Sequence, residues 1–110
     1  MRIWDLPPNI LCRQHLLGEH RELHALWTIV TQGKKGYSKH PETLRWVGKT
    51  GALFNRHEDL VMEMTSRGYN HKTPLNKSLA MGEFVQIHYV HSPSQQREIL
   101  KEKKCQCKPE

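Results

Sequence analysis

The chain has 110 residues, a length that suits one domain rather than two. Hydrophobic residues make up 36% of it and the mean hydropathy is −0.74, so we expect one modest core beneath a polar surface. Lysine and arginine together number 17 against 11 aspartate and glutamate, a net charge of +6. Such an excess suits a polyanionic partner such as nucleic acid, but it also suits a surface charged for solubility.

The cysteines, Cys12, Cys105 and Cys107, form an odd count, and their spacing does not match a disulfide framework. The sequence has no apolar run long enough to span a membrane, and its first residues lack the apolar segment of a secretion signal. We therefore expect a reduced, cytoplasmic protein without a membrane partner.

The first nine residues, MRIWDLPPN, predict an extended arm, because Pro7 and Pro8 bias the residues before them away from helix. From about 10 to 32 the pattern is helical. The residues of its apolar stripe follow at spacings of four, seven, four and three: Cys12, Leu16, Leu23, Trp27 and Val30. The turn QGKKG, at 32–36, ends this helix and exposes Lys34 and Lys35, which suit contacts with DNA phosphates or a solvated surface equally well.

Two further helices are predicted in the middle of the chain. Pro41 opens a short one, and 51–67 form a longer one that ends at Arg67 with Gly68 following as the C′ residue. The apolar face of the longer helix consists of Leu53, Leu60, Val61 and Met64. His57 lies on the same stripe, so we expect a hydrogen-bonded core histidine rather than a metal ligand.

The last third combines loop, one ambiguous segment and a helix. Residues 69–78 read as a loop, and 84–90 have the composition of a strand but no partner strand in the sequence. Ser92 predicts an N-cap, with Pro93 in the first turn and Gln95 completing a capping box. The predicted fold is an all-α, single-domain bundle of three to four helices over 1–104, with 105–110 as a flexible basic tail.

Metal binding is one possible chemistry for this chain. His88 and His91 could join Cys105 and Cys107 in a four-ligand zinc site. The Cys-x-Cys spacing is tighter than usual for zinc, and the pair lies in the basic tail. We therefore predict no metal site there.

The decapeptide QHLLGEHREL, at 14–23, is the most informative stretch. His15 and Glu22 are seven residues apart and lie within about 20° of each other on a helical wheel, at the rim of the apolar stripe. Gly18 costs the helix about 1 kcal/mol relative to alanine, but it leaves room for a ligand or another backbone. An ion-paired amphipathic helix with an ill-placed glycine is the alternative interpretation.

Three features together resemble the pyrimidine-dimer DNA glycosylase family, the phage endonuclease V type of DNA glycosylase/AP lyase. They are the arm beginning Met-Arg-Ile, the run QHLLGEHREL, and the helix closing in RGYN at 67–70. The resemblance covers roughly the first seventy residues and is strongest over 1–27. Two departures are alanine at position 25, where the phage enzyme has a basic residue, and the lack of that enzyme's aromatic C-terminal segment.

This resemblance implies a helical domain that binds damaged double-stranded DNA, with no metal or organic cofactor in the reaction. We expect the protein to be a monomer and to be nucleoid-associated when it is bound to DNA. The family's nucleophile is the α-amino group of the N-terminal residue, which here is Met1, and its catalytic glutamate matches Glu22. Arg2, His15 and Arg21 match further site positions, and we expect them to bind DNA together with Lys34 and Lys35.

The chemistry of an N-terminal amine agrees with such a role. An α-amino group has a pKa of about 7.7–8.0, against about 10.4 for lysine, so a useful fraction is neutral and nucleophilic near pH 7. Because Arg2 is bulky, we expect Met1 to be retained. The alternatives are a non-catalytic nucleic-acid-binding module on the same scaffold and a zinc-stabilised interaction domain.

Overall fold

The computed structural model describes residues 2–32, 40–70, 74–103 and 107. Within these ranges the chain forms four α-helices: α1 (Arg13–Gln32), α2 (Pro41–Leu44), α3 (Thr50–Ser66) and α4 (Pro93–Glu102). Two short 3₁₀ turns, Pro8–Ile10 and Lys77–Leu79, precede α1 and α4, and the described residues contain no strand. The all-α prediction is confirmed.

The core lies between α1 and α3, with the N-terminal arm packed against both. The apolar stripes predicted for the two helices do face inward, because their leucines repeat at helical spacing. Residues buried in this core include Leu16, Leu23 and Trp27 from α1 and Leu53, Leu60 and Met64 from α3. The arm contributes Ile3, Trp4 and Leu6, so the first residues of the chain are part of the core rather than a loose extension.

The start of α3 is capped by a distant stretch of backbone. The amides of Gly51 and Ala52 donate to the carbonyl oxygens of Met81 and Glu83, at 2.9 and 3.0 Å. These bonds satisfy first-turn donors that have no partner within the helix. Gly82, between the two acceptors, has a φ of +74°, and a Cβ there would lie 2.1 Å from the carbonyl oxygen of residue 48.

The end of α3 follows the prediction. Arg67 is the C-cap residue, and Gly68 follows with a φ of +87°, in the left-handed region that favours glycine. At the start of α4, the predicted capping box between Ser92 and Gln95 is present in both directions. Local chemistry therefore sets these two helix ends.

The segment 84–90, which has the composition of a strand, is irregular in the structure. Its β-branched side chains are largely exposed, Val85 at 68% and Ile87 at 65%. The segment is held by side-chain hydrogen bonds instead: Gln86 donates to the carbonyl of Arg45 and accepts from Lys49. Composition favours a strand here, but the described residues offer no second strand for it to pair with.

Several predictions fall outside the described residues. These are the predictions for Met1, Lys34, Lys35 and Cys105, and most of those for 105–110. No helix among the described residues is both long and apolar enough to cross a membrane.

Candidate active site

The backbone amides of the arm are bound one after another by side chains from the helices. Residues 2 to 5 each donate an N–H to a different side-chain oxygen. The pairs are Arg2 with Glu22 (2.5 Å), Ile3 with Glu42 (3.1 Å), Trp4 with Glu19 (3.1 Å) and Asp5 with Gln96 (2.7 Å). Because an extended arm has no hydrogen bonds of its own, these four acceptors hold its register against α1, α2 and α4.

Arginine side chains bind the carbonyl side of the same segment. Three arginines donate to backbone oxygens of the arm and of the residues that follow it. One is the C-cap residue of α2, one lies within α3, and one is the C-cap residue of α3. The bonds are Arg45 to Ile3 (3.0 Å), Arg56 to Leu6 (2.7 Å) and Arg67 to Leu11 (2.7 Å). These cations therefore bind the protein's own backbone, and they hold the carbonyls of Ile3 and Leu6 as the acceptors hold the amides.

Glu19 and Arg56 form a buried ion pair of this network, in which the carboxylate is fully buried. Arg56 reaches both carboxylate oxygens, with its Nε 2.6 Å from Oε2 and its Nη2 3.0 Å from Oε1. Burial raises the pKa of Glu19, whereas Arg56 and the amide of Trp4 act in the opposite direction. Sequence reasoning missed Glu19, although it lies three residues after Leu16 and four before Leu23, in the middle of the apolar stripe.

Arg45 binds the carbonyl of Ile3 as Arg56 binds that of Leu6, and it too is paired with carboxylates. It donates to Glu42 at 2.7 Å and lies 2.8 Å from a carboxylate oxygen of Asp5. Burial alone would lower the pKa of Arg45, but hydrogen bonds and charge from Glu42 and Asp5 raise it above its ordinary value. The positive charge of this guanidinium is therefore held in place beside the arm and balanced by two carboxylates.

A cavity of about 390 Å³ opens where the arm meets α1 and α4. It contains most of the site that the sequence predicts on α1 and the arm. The lining residues are Arg2, Trp4, Gln14, His15, Gly18, Glu19, Glu22, Ile99 and Lys103. Arg21 is exposed on α1, and it is not one of the residues that line the cavity in the described part of the protein.

Gly18 provides open space in the cavity wall. A Cβ built at this position meets no atom within 4 Å, so the missing side chain is not needed for packing within the described part of the protein. The predicted clearance is therefore present, and it faces the cavity rather than another segment of backbone.

His15 lies at one end of the cavity, against two thiols. Its Nδ1 is 3.1 Å from the sulfur of Cys12 and 3.1 Å from that of Cys107, and its ring meets Trp4 edge-on. Burial lowers the pKa of His15, and the nearby positive charge of Lys103 lowers it further. Cys107 thus belongs to a different group of residues from the zinc set considered on the sequence.

Lys103 is a second cavity residue that sequence reasoning missed. It follows the last residue of α4 and lines the same cavity as Glu22. The sequence signal was weak, because the lysine stands in a run of similar charges, REILKEKK.

The arm, α1 and α3 coincide with the part of the chain that is related to known proteins. A sequence model described as pyrimidine dimer DNA glycosylase matches residues 1–77. The chain belongs to the pyrimidine dimer DNA glycosylase family. The family match includes every residue that lines the cavity except Ile99 and Lys103. At the level of the family, this assigns the protein to the DNA glycosylases, with DNA as the substrate.

Two other comparisons add nothing to this membership. Neither a search of curated proteins nor a search of solved structures gave a significant match. The α4 segment, which closes one side of the cavity, lies beyond the family match.

Proposed function

We propose that this protein is a DNA glycosylase with AP-lyase activity, acting as a monomer on pyrimidine dimers, related lesions or abasic sites in duplex DNA. The observation that carries the proposal is the hydrogen bond from the Arg2 amide to the carboxylate of Glu22. It joins the start of the chain to the one glutamate that matches the family's catalytic position.

Met1 is the proposed nucleophile. It lies outside the described residues, but its α-amino nitrogen is connected to the Arg2 amide nitrogen through only two carbon atoms. Covalent geometry therefore limits the separation of those two nitrogens to about 4 Å. The proposal places this amine beside Glu22, a suitable arrangement for exchanging protons during catalysis.

The first chemical stage would be displacement of the base. The Met1 amine attacks C1′ of the deoxyribose, the glycosidic C–N bond breaks, and the base leaves with the bonding electrons and takes up a proton. Loss of the amine protons and opening of the sugar ring at O4′ give the imine, with a proton transferred to O4′. Glu22 stabilises the positively charged sugar and carries protons between these groups.

The second stage would cut the strand. A proton leaves C2′ of the imine, and the C3′–O bond then breaks with the phosphate as leaving group. Water hydrolyses the remaining imine and regenerates the amine. Every step uses groups of the protein, the DNA and water, so the proposed reaction needs no cofactor.

DNA binding would rely on cations around the cavity. Arg2 lines the cavity and its guanidinium lies 4.8 Å from the centre of the Trp4 ring, an arrangement that restricts its orientation. Arg21, Lys34 and Lys35 would add phosphate contacts, and we therefore expect binding to weaken as salt rises. His15 would contact the backbone or help to orient Glu22.

The test is borohydride trapping on duplex DNA that contains an abasic site. Borohydride reduces an imine to a stable amine, so we expect a covalent protein–DNA adduct. An added N-terminal tag should abolish the adduct, and a C-terminal tag should not. Binding without an adduct would instead support the non-catalytic nucleic-acid-binding module.

A further inference from the structure

Three histidines meet between α1 and α3, outside the proposed reaction. His20 and His24 lie one turn apart on α1, and His57 faces them from α3. Their ring centroids are 4.6 to 5.1 Å apart. One nitrogen from each ring lies within 4.8 Å of the other two.

The shortest edge of this triangle fits a shared metal ion. Nε2 of His24 is 3.2 Å from Nε2 of His57. Two nitrogens bound to one tetrahedral Zn²⁺ are about 3.3 Å apart, because each Zn–N bond is about 2.0–2.1 Å long. Without a metal this contact is the hydrogen bond expected of a core histidine at position 57, and the same spacing suits two ligands of one ion.

The surroundings also suit a metal. His57 is fully buried and His20 is 9% exposed, so little water competes for the nitrogens, while half-buried His24 leaves a side open for entry. Across the ring from its cluster-facing Nε2, the Nδ1 of His57 lies 3.8 Å from a carboxylate oxygen of Glu58. A negative charge at this distance favours a cation bound to the ring, but the two groups are too far apart for a direct hydrogen bond.

We propose that His20, His24 and His57 bind a divalent transition-metal ion, with Zn²⁺ the expected occupant, as a structural site between α1 and α3. Imidazole ligands suit zinc and its first-row neighbours, and three histidines leave a fourth position for water. Glu19 directly precedes His20 and Arg56 directly precedes His57, so the metal fixes the same helix contact that holds the arm. The site stabilises the fold and takes no part in the proposed imine chemistry.

The first test measures Zn²⁺ binding and thermal unfolding of the full chain. We expect one ion per chain at this site and, at a hundredfold excess over the Kd, a rise in Tm of roughly 10 °C. H24F, chosen because His24 is the least buried ligand, should lose both the binding and the Tm rise. H88A, which removes an exposed histidine outside the cluster, should retain both.

A second cluster, formed by Cys12, His15 and Cys107, could also take up metal, so the test must separate the two. In the double variant C12S/C107S, the proposal expects one Zn²⁺ to remain. Substituted Co²⁺ should show d–d absorption without the strong near-ultraviolet band of thiolate coordination. X-ray absorption of the Zn²⁺-loaded double variant should show nitrogen and oxygen ligands only, a readout that needs no histidine variant to fold.

Three results would overturn the proposal. One is loss of all Zn²⁺ binding in C12S/C107S, which would assign the metal to the thiol cluster. Another is unchanged Zn²⁺ affinity when H24F is added to that double variant and circular dichroism shows a native helix content. The third is a Tm that Zn²⁺ does not raise in the wild-type protein.

Discussion

The amide of Arg2 donates to the carboxylate of Glu22 across 20 positions of sequence, at 2.5 Å. The next two amides, those of Ile3 and Trp4, are likewise bound by carboxylates. An N-terminal arm without regular structure is thereby given a defined path beside α1. Such pre-positioning matters for the proposed mechanism, in which the terminal amine attacks a sugar carbon, because misplacement by about 1 Å can cost about 100-fold in rate.

The substitution Glu22→Gln distinguishes two roles of Glu22, holding the arm in position and transferring protons. The amide oxygen of glutamine can still accept from Arg2, so we expect the arm to stay in place and DNA binding to be retained. Strand cleavage should slow by about 100- to 10,000-fold, because the amide cannot carry a proton. Single-turnover cleavage and fluorescence anisotropy measure the two effects. Glu98→Gln, at an exposed carboxylate on α4, is the control, and an unchanged cleavage rate in Glu22→Gln would disprove the proposed role.

Two substitutions at Gly18 test the clearance in the cavity wall. Gly18→Ala should stabilise the protein by up to about 1 kcal/mol, since its Cβ meets nothing within 4 Å and alanine favours helix. Gly18→Phe should fold but project into the cavity, and adduct formation should fall at least about tenfold. The alanine variant controls for the loss of glycine. Full activity of a folded Gly18→Phe protein would show that DNA does not use this space.

Breaking the buried pair of Glu19 and Arg56 tests what holds the arm. Arg56→Met leaves a buried carboxylate without its cation, and we expect the free energy of unfolding in urea to fall by about 3–5 kcal/mol. Lys101→Met removes an exposed partner of Glu98 and should cost less than about 1 kcal/mol. The double change Glu19→Gln/Arg56→Met should recover part of the loss. A small effect of Arg56→Met would mean that the arm is held elsewhere.

His15 gives a pH dependence with a defined sign. Its folded pKa lies below the ordinary 6.5, first because of burial and then because of Lys103. Well above pH 6.5 the imidazole is neutral in both the folded and the unfolded chain, so it adds nothing to the pH dependence of stability there. As pH falls below 6.5, the unfolded chain takes up the proton first, so stability is lost until the folded pKa is passed.

The measurement is the NMR titration of the His15 ring, together with urea unfolding at pH values on either side of 6.5. Lys103→Met should raise the pKa part of the way towards 6.5, because burial remains. His15→Asn should flatten the fall in stability below pH 6.5. A folded pKa at or above the ordinary value would contradict the burial of this ring near a cation.

Local patterns in the sequence predicted the helices and several of their ends, but α1 begins at Arg13 rather than near residue 10. The leucine spacing of α1 and α3, the Arg67-Gly68 stop and the Ser92 capping box depend on residues a few positions apart. The contacts that build the site instead join residues far apart in the sequence: Ile3 meets Glu42 across 39 positions, and Asp5 meets Gln96 across 91. Only packing of the whole chain brings these groups together.

Two side chains that the sequence did not single out and one segment of ambiguous composition illustrate this limit. Glu19 interrupts an apolar stripe, and a charged residue there signals a buried partner, but the sequence does not say which cation it is. Lys103 stands among similar lysines in the sequence, and only its position at the end of α4 distinguishes it from them. The segment 84–90 has the residues of a strand, but pairing depends on a second strand, which the described chain does not provide.

The most direct test of the imine mechanism identifies the amine that becomes attached to DNA. The cavity offers a competitor to Met1, because Lys103 lines it and lysine is also able to form imines. After borohydride trapping on abasic DNA, proteolysis and mass spectrometry of the adduct locate the attachment. We predict that the sugar is bound to the α-amino nitrogen of Met1, and that Lys103→Arg still forms the adduct. Attachment to the side chain of Lys103, with Met1 unmodified, would contradict the mechanism.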